Sequence, residues 1–200
     1  PDPFRNLEEV KAPATRAWLQ AQGEHAAAQL ARIDVRDALA ERIAALSRAG
    51  GDAVAGVQRM PGGRLYYLER RAGDSQYRLV LRVGAGAPRV LVDPGEVSRA
   101  TGVPHALNYV VPSWDGRTVA YGLSAAGSED ASLHLLDVAS GRLLAAPIPR
   151  VPGGPPPHWS PDSRHLTFNQ LRALPPRAPD TETYLDSTVF VLDRERPAAL

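Results

Sequence analysis

Two hydrophobic rhythms divide the chain near Gly50-Gly51. Before that point the pattern is helical. Residues 13–49 are alanine-rich, poor in β-branched side chains and free of proline after Pro13, a composition that favours helix. A first helix is predicted from about Ala14 to Leu30, with Trp18, Leu19, Ala26 and Leu30 apolar and Gly23 a weak point. A second is predicted behind Asp34, read as its N-cap with Asp37 three residues on. Val35, Leu39, Ile43 and Leu46 then fall at spacings of four, four and three, which places them in one stripe. Gly50-Gly51 closes the helix as a C-cap would. Two helices cannot bury that stripe between them, so it is expected to dock on another structure.

From Val54 the period becomes two. Strands are predicted at Val54–Met60, Arg64–Arg71, Tyr77–Val83 and Arg89–Val92, broken by Pro61-Gly62-Gly63, Gly73-Asp74-Ser75 and Gly84-Ala85-Gly86. A second set follows at Leu107–Pro112, Thr118–Leu123, Ser132–Val138 and Leu143–Ile148. A third begins at His158-Trp159, continues through His165–Asn169 and reaches Thr188–Asp193 after a proline-rich excursion. The sets repeat one another. Pro61-Gly62-Gly63-Arg64, Trp114-Asp115-Gly116-Arg117 and Trp159-Ser160-Pro161-Asp162-Ser163-Arg164 each lead into an alternating strand that ends on an aromatic, and the arginines lie 53 and 47 residues apart. A four-stranded unit recurring every 40–50 residues is the sequence signature of β-propeller blades. Trp114 and Trp159 are expected to pack between neighbouring blades. The competing reading is an antiparallel sandwich with coincidental spacing. Residues 54–200 hold about three blades, fewer than the four or more of closed rings. Either copies of the chain close a ring together, or the chain is a piece of a longer protein, and the second is the expectation.

Composition narrows the function classes. Hydrophobic residues make up 44% of the 200 and charged residues 22%, the balance of an ordinary globular chain. Basic and acidic residues nearly cancel, at a formal net charge of +1, so no global field draws in nucleic acid or a membrane surface. The arginines alternate along strands without an aromatic stacking face, which gives no support to a nucleic-acid interface. No apolar stretch approaches the ~20 residues of a membrane span. The absence of cysteine excludes disulfides, thiolate zinc sites and cysteine nucleophiles. The opening Pro1-Asp2-Pro3 carries no basic-then-apolar leader, so a signal peptide is expected to have been removed or never to have existed.

Candidate chemistry is sparse. Gly122-Leu123-Ser124-Ala125-Ala126-Gly127 is the nearest approach to a nucleophile turn of the G-x-S-x-G type, with the wrong spacing. Ser124 is read as a turn residue of a blade. His25, His105, His134, His158 and His165 are scattered without a local carboxylate and hydroxyl. His158 and His165 form the one pair that a metal could share, weighed against two solvated histidines. Ser128-Glu129-Asp130 and Asp180-Thr181-Glu182 lack the alternating ligands of a calcium loop, Glu8-Glu9 suits a helix N-terminus, and Pro175-Pro176-Arg177-Ala178-Pro179 reads as a stiff loop or as a ligand for an SH3-type module.

Ordered motifs carry a family resemblance. Asp2-Pro3-Phe4-Arg5-Asn6-Leu7-Glu8-Glu9 resembles the Asp-Pro-Tyr-Arg-Trp-Leu-Glu-Asp opening of the prolyl oligopeptidase family of serine peptidases, and Trp18-Leu19-Gln20-Ala21-Gln22-Gly23 resembles the helix that follows it. Tyr77–Arg82, Val90–Pro94, Pro112–Arg117, Ala120–Ser124, Gly127–Glu129, Trp159–Ser163 and Thr181–Thr183 continue the likeness in order, over nearly the whole chain. Asn6 and Gly23 depart from the family pattern, as do Pro152–Pro157 and Val191–Glu195, so substrate preference is not carried over with the rest.

The resemblance implies a mainly β fold with an N-terminal helical segment: a partial β-propeller of about three four-stranded antiparallel blades preceded by two helices. It implies an arm, 1–50, that packs on an α/β-hydrolase domain of the same protein. Blade one then covers 51–104, blade two 105–150 and an incomplete blade three 151–200. The hydrolase domain would carry the Ser-Asp-His triad, and the propeller would admit only short peptides. No catalytic, cofactor-binding or metal-ligating residue is therefore assigned in 1–200, and the chain alone is expected to be inactive. A non-catalytic propeller that binds a peptide or protein is the alternative. Related peptidase branches, cutting after basic residues or releasing acylated residues, form a third. The resemblance leaves bacterial cytoplasm and periplasm equally open. Unpaired blade edges and the uncovered stripe predict self-association of the isolated chain.

Overall fold

The computed structural model describes residues 2–176, 178–179 and 182–197. The chain divides into two compact units, one of 1–50 with 174–185 and one of 51–173 with 186–200.

The first unit is helical. A short 3-10 turn, Arg5–Glu8, precedes α1 (Pro13–Leu30), which opens with proline where a missing N–H costs nothing. The chain then turns through Arg32 and Ile33 into α2 (Arg36–Ala49). Its N-cap is Val35, with no side-chain cap. Asp34 lies one residue too early, inside the turn closed by Arg36 N–H donating to Ile33 O, and does not cap the helix. The amphipathic reading of α2 holds, and its stripe is open: no residue of α2 is buried, and Ile43 is 63% exposed. In α1 only Thr15 is buried, its hydroxyl donating to Asn6 O at 3.2 Å. No helix among the described residues is long and apolar enough to cross a membrane.

The second unit is three antiparallel sheets in sequence order. The first is the meander β1 (Ala53–Met60), β2 (Arg64–Arg70), β3 (Arg78–Val83) and β4 (Arg89–Val92). The second is β5 (His105–Pro112), β6 (Thr118–Ala125), β7 (Ser132–Asp137) and β8 (Arg142–Leu143). The third has three strands, with β10 (His165–Leu171) between β9 (His158–Trp159) and β11 (Ser187–Asp193). Each successive strand pairs with the one before it, as expected of blades. The strand predicted over Leu143–Ile148 is shorter than expected. β8 ends at Leu143 and only an isolated bridge joins Ile148 to Leu133, because Pro147 has no N–H to continue the ladder. Between β4 and β5 stands an unanticipated helix, α3 (Pro94–Thr101). Asp93 caps it by accepting from Gly95 N–H at 2.8 Å, and Gly102 ends it in the left-handed region, φ +72°.

The sheets stack face to face, and the middle one is covered on both sides. One core joins Tyr66, Leu79 and Leu81 of the first sheet to Val119, Tyr121, Leu123 and Leu136 of the second. The other joins Ala120, Leu133 and Leu135 to Trp159, Leu166, Phe168 and Leu192 of the third. Alternation decides the allocation: Val119, Tyr121 and Leu123 point one way along β6 and Ala120 the other. Consequently β6 is buried from Thr118 to Ser124 and reads as a continuous apolar run.

Candidate functional site

The most ordered chemistry lies at the turns of the second unit that precede β6 and β10. Ser113-Trp114-Asp115-Gly116-Arg117-Thr118 and Ser160-Pro161-Asp162-Ser163-Arg164-His165 make the same hydrogen bonds. In the first, Ser113 Oγ donates to Asp115 Oδ1 at 2.6 Å and accepts from Thr118 N–H at 3.0 Å, while Asp115 Oδ1 accepts from Arg117 N–H at 3.0 Å. In the second, Ser160 Oγ donates to Asp162 Oδ1 and accepts from His165 N–H at 2.8 Å, and Arg164 N–H donates to Asp162 Oδ1 at 3.0 Å. The residue before the arginine has positive φ in all three repeats: Gly63 at +69°, Gly116 at +63° and Ser163 at +61°.

These turns also lock the sheets to one another. Asp115 N–H donates to Ser163 Oγ at 2.9 Å, and Arg194 Nη1 donates to Asp115 Oδ2 at 2.8 Å. Burial pushes the Asp115 carboxyl up, but the hydrogen bonds from Ser113, Arg194 and Arg117 together outweigh it and hold the group below the usual carboxylate range. On the other side, Tyr66 OH donates to Gly116 O at 2.7 Å, and burial raises that phenol to about 12. A Cβ at Gly116 would lie 3.0 Å from Arg64 Cδ and 3.1 Å from Met60 Cβ, so the turn needs glycine for space as well as for φ.

The two tryptophans differ. Trp159 is 7% exposed, sits in the core between the second and third sheets and donates from Nε1 to Val111 O at 2.9 Å. Trp114 is 58% exposed and only its Nε1 reaches across, to Trp159 O at 3.3 Å. The expectation that both pack between blades is corrected for Trp114. In the repeat it is the counterpart of Pro161, a turn position, whereas Trp159 is the counterpart of Pro112, the last residue of the strand before the turn.

Ser124 is not a turn residue either. It is a buried member of β6, paired with Ala106, because the strand runs on to Ala125. The histidines stay apart in the chain's elements. His25 is on α1, and His105 at the start of β5 donates from its ring to Val103 O at 2.7 Å. His158 on β9 faces Thr167, two residues from His165. Among the described residues no three His, Cys, Asp or Glu side chains form a metal-sized cluster. Of the acidic and proline-rich segments, Arg177, Asp180 and Thr181 lie outside the described residues. His134, counted among the scattered histidines, has a setting that the sequence does not show: its ring stacks on Tyr121 at 4.8 Å between the first two sheets. Its buried Nδ1 has no hydrogen-bond partner among the described residues, and burial lowers its pKa.

Hollows flank this architecture. One of about 350 Å³ lies between the first and second sheets at the turn end, lined by Arg64, Arg89, Arg117, Asp137 and the apolar Leu81 and Val138. Another, of about 470 Å³, lies beside α3 and is lined by Gln76, Ser98, Arg99 and His105 among others.

Residues 1–196 match the family model described as the prolyl oligopeptidase N-terminal β-propeller domain. Among solved structures, the chain is similar to a prolyl endopeptidase from a study of two such enzymes and the role of their inter-domain dynamics in catalysis and specificity. That likeness is 31% identity at a TM-score of 0.76, over 96% of this chain and 28% of that one. Prolyl oligopeptidase B from Galerina marginata, bound to a 35mer hydrolysis and macrocyclization substrate, has the same fold at 20% identity and a TM-score of 0.74, again over 96% and 28%. A post-proline cleaving enzyme from Rickettsia typhi does so at 14% and 0.62, over 82% of this chain and 26% of that one. The chain thus spans just over a quarter of the length of each of these structures. No curated protein matches it.

Proposed function

The chain belongs to the prolyl oligopeptidase family, as its N-terminal β-propeller segment, and on that premise we propose that it is the arm and first blades of a serine endopeptidase that cleaves short peptides after proline or a relative of it. In this reading residues 1–50 are the arm, 51–104 and 105–150 two blades, and 151–200 the start of a third. The catalytic serine, aspartate and histidine belong to an α/β-hydrolase domain outside these residues. The segment's own contribution is to scaffold that domain and to restrict entry to short, unfolded peptides.

The observation that carries the reading is the stack of sheets. The middle sheet is covered on both faces, while the third keeps Val189 at 64% and Val191 at 58% exposure on its free side. A further blade would cover that side. The stripe of α2 has the same logic: burying one Leu or Ile fully is worth about 1.5–3 kcal/mol, and the hydrolase domain is the surface proposed to supply that burial.

The test compares the parent protein with residues 1–200 alone on a chromogenic peptide carrying proline before the scissile bond. The parent is expected to hydrolyse it and 1–200 to be inert. Hydrolysis by 1–200 overturns the division of labour. An inactive parent together with self-association of 1–200 into a ring of one defined mass points to the binding-module alternative. Peptides with basic or acylated residues at the cleaved position separate the related branches.

A further inference from the structure

The hollow between the first two sheets combines three features that a ligand site needs. Its volume of about 350 Å³ falls within the range of small-molecule sites, about 300–1,000 Å³. Its floor is apolar, formed by Leu81, Val83 and Val138. Its lining includes three arginines, Arg64, Arg89 and Arg117, against a single acidic residue, Asp137.

The arginines are not consumed by the fold. Arg64 Nη1 donates to Pro61 O at 2.9 Å and Arg89 Nη2 donates to Val138 O, each leaving further donors on the guanidinium. Arg117 is exposed, and its side chain has no hydrogen-bond or ion-pair partner among the described residues. Asp137 is turned to its own loop instead, accepting at Oδ1 from Ser140 N–H at 2.7 Å and Ser140 Oγ at 2.6 Å. The rim is thus a cationic fork beside an apolar floor.

We propose that this hollow binds the carboxyl-terminal residue of a peptide, with the α-carboxylate on Arg117 and its neighbours and an apolar side chain against Leu81, Val83 and Val138. Arginine suits this chemistry because its planar fork matches a carboxylate two bonds at a time. A bare phosphate would satisfy the guanidinium groups and leave the apolar floor uncovered. The choice of a peptide as the bearer of the carboxylate rests on the peptidase reading. The site itself does not, since it is tested by binding without turnover.

Calorimetry on the protein with N-acetyl-Ala-Leu, its C-terminal amide and inorganic phosphate tests the proposal. The carboxylate is expected to bind at least tenfold more tightly than the amide. Arg117→Gln is expected to weaken it about tenfold, the effect of one charge-assisted hydrogen bond. Arg99→Gln, an exposed arginine on α3 that does not line this hollow, should change nothing. Circular dichroism confirms that both variants fold. Equal binding of carboxylate and amide, no binding of either, or indifference to Arg117→Gln overturns the site. Phosphate that binds as tightly as the peptide overturns its peptide character. An inactive parent enzyme with intact carboxylate binding would instead count against the peptidase reading alone.

Discussion

At the scale of single residues, close packing explains choices that no periodic pattern contains. Gly122 is opposite Tyr109 in the β5–β6 ladder, and a Cβ there would lie 2.3 Å from the Tyr109 ring. That ring cannot swing aside, because it belongs to the core between the second and third sheets and its OH donates to Val151 O at 3.1 Å. Gly122→Ala should therefore destabilise the protein by about 1–3 kcal/mol through overpacking. For a chain of this size that is a drop of several degrees in melting temperature, roughly 2–4 °C per kcal/mol. An unchanged melting temperature would mean that Tyr109 has room to move. Ser163 makes the complementary point. It is buried at positive φ, and its hydroxyl holds the Asp115 N–H of the neighbouring repeat. The serine at a position where the other repeats use glycine is a residue chosen for a bond between sheets.

At the scale of elements, the interface between the first two sheets contains a titrating group. His134 on β7 stacks against Tyr121 on β6, and burial disfavours its protonated form. The unfolded chain binds that proton at about pH 6.5, while the folded protein binds it only at lower pH. The contribution of this histidine to stability is thus complete above about pH 6.5 and is lost as pH falls towards its folded-state value. Urea midpoints should decline between pH 7 and 5 for the native protein and decline less for His134→Phe, which keeps the stacking and cannot titrate. Parallel profiles would rule His134 out as the source. The carboxylates held low, Asp115, Asp137, Asp162 and Asp193, act in a more acidic window. Elements also show where sequence signals suffice and where they mislead. The signals for α3 were all local, Asp93 as cap, Pro94 at the first position and Gly102 as stop, yet the surrounding period-two pattern masked them. Asp34 has the chemistry of a cap and misses the geometry by one residue.

At the scale of the whole molecule, the exposed apolar surface is the property that matters for handling. Leu39, Ile43 and Leu46 on α2 and Val189 and Val191 on β11 are all more than half exposed, beyond what an isolated soluble chain usually leaves uncovered. Residues 1–200 expressed alone should self-associate, and Leu39→Ser with Ile43→Ser should shift the sedimentation profile toward smaller species without lowering the melting temperature. A sharply melting monomer in the unsubstituted chain would contradict this. The two surfaces can be separated by substituting Val189 and Val191 in the same way.

The change from helices to strands near Gly50, the three repeats and their turns are legible in the linear pattern, because period, turn residues and proline act over a few neighbouring positions. The family likeness is legible there too, through short motifs in a fixed order. What depends on partners some 50 residues away along the chain emerges only on folding. Packing buries Trp159 and leaves Trp114 outside, places Ser163 against Asp115 and Tyr66 against Gly116, and gathers Arg64, Arg89 and Arg117 around one hollow. In the linear sequence Arg64 and Arg117 stand out as repeat positions, but nothing there sets Arg89 beside them. Stacking one sheet on the next is what brings equivalent positions of successive repeats together, so the contacts that lock the blades and form the hollow exist only once the sheets have met.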